Sequence, residues 1–93
     1  MGMVAVQVDE EAMVREAIAT IEPPPGVRLR RINLDYVDST GDAAVQVIFA
    51  VTRKIPLTKK RVIALSRFST AVAETITRLG LPKWPFVKFT EMR

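Results

Sequence analysis

One stretch of the chain, Val27 to Val51, constrains the fold more than any other, because two runs rich in β-branched residues flank a short polar segment. The runs are VRLRRINLDYV and AAVQVIFAV, and the segment between them is DSTGD. Asp and Ser hydrogen-bond their own backbone in tight turns, and glycine adopts the positive φ that such turns need. We therefore expect a β-hairpin, and the rest of the chain must cover one face of it.

The alternation of apolar residues indicates which face of each strand is buried. In the second strand the apolar residues share one parity: they are Val45, Val47, Phe49 and Val51. In the first strand the parity changes along the run: the apolar residues are Val27, Leu29, Ile32, Leu34 and Tyr36. A bulge near Arg30–Arg31 would turn both sets toward the core; alternatively, the strand proper starts at about Arg31.

The segment before the hairpin predicts a helix. Asp9 is a good N-cap and two glutamates follow it, while Pro23 restricts the residue before it, so the helix is expected to end at Glu22. Its apolar face comprises Met13, Val14, Ala17, Ile18 and Ile21. Upstream, Val4, Val6 and Val8 alternate with other residues, so residues 1–8 form either an arm or a short first strand.

A second, longer helix is predicted after the hairpin. Thr58 is its expected N-cap, Leu57 and Val62 form a hydrophobic staple, and Gly80 occupies the left-handed position beyond its end. The predicted inward stripe is Val62, Leu65, Phe68, Val72, Ile76 and Leu79. The segment Trp84 to Met92 then reads as a last strand.

These elements predict one α+β domain over residues 1–93, with both helices on one face of a three- or four-stranded sheet. The order is αββαβ, or βαββαβ as in ferredoxin-like folds if residues 3–8 form a strand. The expected core consists of Ile18, Ile21, Leu34, Val47, Phe49, Leu65, Phe68, Val72, Ile76 and Phe89.

Composition argues against catalysis. The chain has no cysteine and no histidine, so it lacks the thiol nucleophile, the commonest general base and the commonest metal ligands. We expect no enzyme activity, no cofactor and no metal site. The N-terminus has neither a basic leader nor a long apolar run, which predicts a cytoplasmic protein without a membrane span.

Charge is unevenly distributed along the chain. Residues 1–46 hold eight acids and four bases, a net charge of −4, whereas residues 47–93 hold two acids and ten bases, a net charge of +8. Several cations surround the start of the second helix, where they oppose the helix dipole: Arg53, Lys54, Lys59, Lys60 and Arg61, with Arg67 one turn farther on. An anion bound there would reverse the sign of that interaction, so these six residues are the candidate contacts to a nucleic-acid backbone. The alternative is a solvated basic surface.

Two further groups of residues have a functional and a structural interpretation. Tyr36, Trp84, Phe86 and Phe89 either stack on bases or belong to the core. The run Asp38-Ser39-Thr40-Gly41 is similar to the Asp-Thr/Ser-Gly element of aspartic proteases but has one residue too many, and the hairpin loop explains it.

The layout resembles the type II KH arrangement of the ribosome-binding factor A family. The resemblance rests on element order over about residues 9–91, on the V-x-V-x-F-x-V strand and on the terminal WPFVKF. The G-x-x-G loop of KH domains that grip RNA is absent, and Ser69-Thr70-Ala71 occupies the part of the helix where that family has an Ala-x-Gly kink. The resemblance implies an RNA or ribosome partner. The combination of DSTGDAA with LPKWPFVKF also resembles small bacterial proteins of unknown function, which implies no activity.

Two functional hypotheses follow. The first is a small non-catalytic module that binds RNA or the ribosome through the basic helix start. The second is a protein-interaction or homo-oligomeric module, which would use the outward apolar residues Ile48, Ile63 and Phe86 and an exposed sheet edge.

Overall fold

The chain forms two helices and a three-stranded mixed sheet in a computed structural model that describes residues 5–92. The elements are α1 (Ala5–Ala19), β1 (Val27–Val37), β2 (Ala43–Thr52), α2 (Lys59–Thr77) and β3 (Trp84–Met92). The sheet order is β1-β2-β3, with β1 antiparallel and β3 parallel to β2. The predicted α+β fold with the order αββαβ is confirmed, and the sheet has three strands.

Helix α1 starts earlier than predicted. It begins at Ala5, so Asp9 lies inside it, and residues 5–8 are helical rather than a first strand. The βαββαβ alternative is therefore wrong for these residues, while Val4 lies outside the described part of the chain. The physical reason is that alanine and glutamine between the valines favour helix, and no glycine or proline separates them from the acidic turn.

The end of α1 also differs from the prediction. The helix stops at Ala19, before Glu22, because the next two residues make i→i+3 bonds that tighten the last turn. The Thr20 N–H donates to the Ala17 carbonyl at 3.3 Å, and the Ile21 N–H donates to the Ile18 carbonyl at 3.0 Å. Met13, which was expected to face inward, is exposed.

The hairpin is confirmed, with its loop at residues 38–42 and Gly41 at a φ of 89°. The register shifts between Leu29 and Arg31, which confirms the predicted bulge; the alternative start at about Arg31 is wrong, because β1 begins at Val27. A second shift between Asn33 and Tyr36 was not predicted, and it turns Tyr36 away from the helices. Asn33 Oδ1 accepts from the Asp35 N–H at 3.1 Å, a local side-chain bond that competes with the strand ladder.

The core lies between the helices and the inner face of the sheet. Phe49 of β2 meets Phe68 of α2 edge to face, with ring centroids 4.9 Å apart. All ten residues of the expected core belong to this cluster: six are buried and four, Ile21, Leu34, Leu65 and Phe89, are partly buried against it.

Helix α2 is rotated relative to the predicted stripe. Thr58 is its N-cap and accepts from the Arg61 N–H at 3.1 Å, and Gly80 beyond its end has a φ of 74°, as expected. Val62, however, is exposed, and so is its predicted staple partner Leu57. Arg61 is buried in place of Val62, because residues 61, 65, 68, 72 and 76 share one helical face.

Candidate functional site

The sheet has an outer face, turned away from the helices, and its residues alternate with those of the core. In the paired register this outer face consists of Arg28, Arg31, Asn33 and Tyr36 of β1, Ala44, Gln46, Ile48, Ala50 and Thr52 of β2, and Trp84, Phe86, Lys88, Thr90 and Met92 of β3.

Three aromatic rings lie together at the hairpin end of the outer face, and we call them the aromatic row: Tyr36, Phe86 and Trp84. The Phe86 ring stacks on Tyr36 at a centroid distance of 5.4 Å and an interplanar angle of 20°, and it lies 5.7 Å from Trp84. Ala44 of the central strand is fully buried, although it faces away from the helices. A small residue on β2 thus lets the rings of the two outer strands meet above it.

The Trp84 ring is held by the hairpin loop. Its Nε1–H donates to Asp38 Oδ2 at 2.8 Å. The other carboxylate oxygen of Asp38 accepts from the Thr40 N–H at 2.8 Å, from the Thr40 hydroxyl at 2.7 Å and from the Asp42 N–H at 2.9 Å. The Thr40 hydroxyl bond, followed by the Asp42 backbone bond, holds the pKa of Asp38 below its ordinary value. The loop carboxylate therefore orients a ring that remains 41% exposed.

The rest of the outer face is cationic. Arg31 and Lys88 flank Ile48 in one row of the sheet. Arg30, at the bulge, reaches across β2 and donates to the Thr90 hydroxyl at 3.4 Å. Two carboxylates lie at the ends of this face, Asp38 beside Trp84 and Glu91 paired with Arg53, whereas the outward positions of the described paired register between them carry cations and no carboxylate.

The six cations predicted as one site differ in exposure: one is buried and five lie on the surface. Arg61 is only 7% exposed, and its NH1 group donates to the Pro25 carbonyl at 2.6 Å. Within the described residues, its Nε and NH2 groups have no hydrogen-bond partner. An apolar helical stripe passes through position 61, so the side chain lies against the proline-rich connector rather than on the surface, and a contact of Arg61 with nucleic acid stays a prediction.

The other five predicted cations are exposed. Arg53 pairs with Glu91 of β3 at 2.8 Å. Lys54, Lys59 and Lys60 lie in the turn after β2 and at the start of α2, and Arg67 lies on the exposed side of α2.

Sequence reasoning missed the cations that the sheet brings together: Arg28, Arg30, Arg31 and Lys88. The RLRR run of β1 was a visible signal, but it belongs to the acidic half of the sequence. Of the four aromatic residues considered for base stacking, Phe89 is on the core side and the other three form the aromatic row.

Other kinds of site find no support in the described part of the chain. No three side chains of the metal-binding types come together there. Neither of the two described helices combines the length and hydrophobicity needed to cross a bilayer.

A scan against protein-family models and searches of curated proteins and of solved structures find no match to this chain.

Proposed function

We propose that this chain is a non-catalytic RNA-binding module that holds a single strand against the outer face of its sheet. Bases would stack on the aromatic row, and phosphates would contact the cations beyond it. The chain has no histidine and no cysteine, and the proposed role therefore needs only binding and no chemical step.

The observation that carries this proposal is the aromatic row itself. Three large rings stand side by side on a sheet face that no described element covers, and a hydrogen bond orients one of them. Stacking of a base on an aromatic side chain contributes about 1–3 kcal/mol and tolerates any sequence.

Charge favours nucleic acid over a second copy of the chain as the occupant of this face. The cations of this face, Arg28, Arg30, Arg31 and Lys88, outnumber its carboxylates, Asp38 and Glu91, so the face attracts phosphates, whereas two such faces would repel each other. Lys54, Lys59 and Lys60 lie at the end of the sheet where β2 finishes, so they extend the positive surface for the backbone of a longer strand.

The intrinsic fluorescence of Trp84 provides a direct test, because this is the only tryptophan in the chain. Titration with a single-stranded RNA decamer should quench the emission, since the ring stacks on a base. Phe86→Leu should weaken binding about tenfold or more through the loss of one stacking contact. A duplex of the same sequence should bind much more weakly, because its bases cannot reach the rings.

Two pairs of exposed cations provide a matched comparison. Replacing Arg31 and Lys88 by Gln should weaken binding and flatten the salt dependence by about 0.7 per charge removed. Replacing Arg15 of α1 and Arg78, the C-cap of α2, by Gln removes the same charge from the helix side of the molecule and should change affinity much less. An equal loss for both pairs, or no quenching of Trp84 by RNA, would contradict the proposed site.

A homo-oligomer through a sheet edge is the second candidate, and one observation favours it. An apolar groove of about 490 Å³ runs beside β3 and includes Ile55, Leu57, Leu65 and Phe89. In the described sheet β3 pairs only with β2, so its other edge is able to add a strand from a second copy. Light scattering over a range of concentrations tests this candidate; Leu57→Lys should abolish a dimer and leave RNA binding intact.

A further inference from the structure

A second feature of the outer face lies at the opposite end from the aromatic row. It is an open depression of about 1000 Å³ lined by Arg28, Leu29, Arg30, Ala50, Arg53, Glu91 and Met92. Ala50 forms the floor of this depression: it faces away from the helices but is only 5% exposed. The longer side chains around it form the rim. We call this depression the arginine pocket.

The arginine pocket holds more positive than negative charge. Its lining includes three guanidinium groups and one carboxylate. Arg53 is paired with Glu91 at 2.8 Å, and Arg30 donates only to the Thr90 hydroxyl at 3.4 Å. Arg28 makes no side-chain hydrogen bond or ion pair with the described residues. Two of the three guanidinium charges are therefore available to an anion.

We propose that the arginine pocket binds a terminal phosphate of the single strand whose bases stack on the aromatic row. A phosphate monoester carries about −1.5 to −2 charges at pH 7, which matches the excess charge of the pocket better than the single charge of a backbone phosphodiester. Guanidinium groups also present paired donors that fit phosphate oxygens. The inference rests on the proposed function, and it adds the chemistry of one end of the ligand.

The geometry of the sheet sets the length of that ligand. Ala44 beneath the aromatic row and Ala50 on the pocket floor are six residues apart on β2, which corresponds to about 20 Å at ~3.3 Å per residue. A stacked single strand advances ~3.4 Å per phosphate, so about six nucleotides would span the two features, and fewer would do so if the strand is extended.

The Glu91 carboxylate would compete with the ligand phosphate for the guanidinium group of Arg53. Without ligand it neutralises Arg53, and an incoming phosphate must share or displace that contact. Glu91→Gln should therefore increase the affinity for a phosphorylated strand severalfold. An increase in affinity cannot result from a damaged fold, which makes this variant a useful complement to the loss of an arginine.

The test compares three versions of one RNA octamer at pH 7.5, with a 5′-phosphate, a 3′-phosphate or hydroxyl groups at both ends, each followed by Trp84 quenching. A phosphate at one of the ends should strengthen binding to the wild type at least about tenfold, the effect of one charge-assisted hydrogen bond. Replacing Arg28 and Arg30 by Gln should reduce that ratio to about one. The Arg15→Gln and Arg78→Gln pair on the helix side of the molecule should leave the ratio at its wild-type value.

Failure of this inference can be distinguished from failure of the proposed function. If all three octamers quench Trp84 with equal affinity, the terminal-phosphate subsite is overturned and the RNA-binding function stands. If no octamer binds, both are overturned. Inorganic phosphate is titrated by calorimetry as a separate probe: binding as tight as that of the phosphorylated octamer would assign the pocket to free phosphate and overturn the inference, whereas much weaker binding that requires Arg28 and Arg30 supports it.

Discussion

Asp38 links the hairpin loop to the exposed Trp84 through a single side chain. Its carboxylate accepts hydrogen bonds from Thr40, Asp42 and Trp84, and the Thr40 hydroxyl bond makes the largest contribution to lowering its pKa. A carboxyl whose pKa is lower in the folded state stabilises that state above its ordinary pKa, and this stabilisation is lost as the pH falls through the lower value.

We therefore expect the Trp84 emission to change with a midpoint below the ordinary aspartate value of 3.8. The measurement is a fluorescence titration from pH 6 to pH 2, with circular dichroism to confirm that the fold persists. Asp38→Ala should remove this transition and give the acid-form emission throughout. A midpoint at or above 3.8 would show that the carboxylate is not stabilised by these bonds.

The orientation of Tyr36 is one that the alternation of apolar residues did not predict. The alternation in β1 predicted Tyr36 on the core side, but the register shift after Asn33 places it on the outer face. The bond from the Asp35 N–H to the Asn33 side chain is local, yet whether such a bond interrupts a ladder depends on the facing strand. One unpredicted bulge is what assembles the aromatic row.

At the scale of elements, short sequence motifs predicted the turns and helix ends, whose geometry depends on neighbouring residues. The hairpin, the N-cap Thr58 and the left-handed Gly80 are fixed by turn and cap geometry, and each was predicted from neighbouring residues. The rotation of α2 was not predictable in this way. Hydrophobicity placed Val62 inside, whereas the helix buries Arg61, whose head donates to the distant Pro25 carbonyl.

The start of α2 yields a prediction about stability. Lys59 and Lys60 lie in its first turn and oppose the helix dipole, so replacing both by Gln should raise the free energy of unfolding by a few tenths to about 1 kcal/mol per residue. Arg61→Gln should instead lower it by about 1–3 kcal/mol, because the Pro25 carbonyl loses its donor.

Urea denaturation of the three proteins measures both effects. Arg67→Gln provides the control, since it removes a cation from the middle of α2, where the dipole has little influence, and it should be nearly neutral. A stability loss in the Lys59 and Lys60 variant comparable to that of Arg61→Gln would mean that these lysines make structural contacts of their own.

At the scale of the whole molecule, charge is organised by the sheet rather than by the sequence halves. Three arginines of the outer face come from β1, which belongs to the acidic half of the chain, and Lys88 comes from β3 in the basic half. Only the pairing of both strands with β2 brings these cations onto one face. The sequence therefore predicted the two-layer architecture but placed the candidate site at the start of α2 alone.

The two faces of the sheet lead to a prediction that separates folding from binding. Phe49 on the inner face is 1% exposed and contacts Phe68, whereas Phe86 on the outer face is half-buried between two other rings. Phe49→Ala should lower the free energy of unfolding by about 3–5 kcal/mol, through lost burial and the cavity left behind. Phe86→Ala should lower the free energy of unfolding by less than about 2 kcal/mol, because less apolar area of this ring is buried in the folded protein. It should weaken RNA binding at least as much as Phe86→Leu.

Denaturant unfolding and Trp84 quenching, measured on both variants, test this pair. Equal destabilisation by the two substitutions would mean that the outer ring is part of the folding core, and unchanged RNA affinity in Phe86→Ala would remove the aromatic row from the binding site.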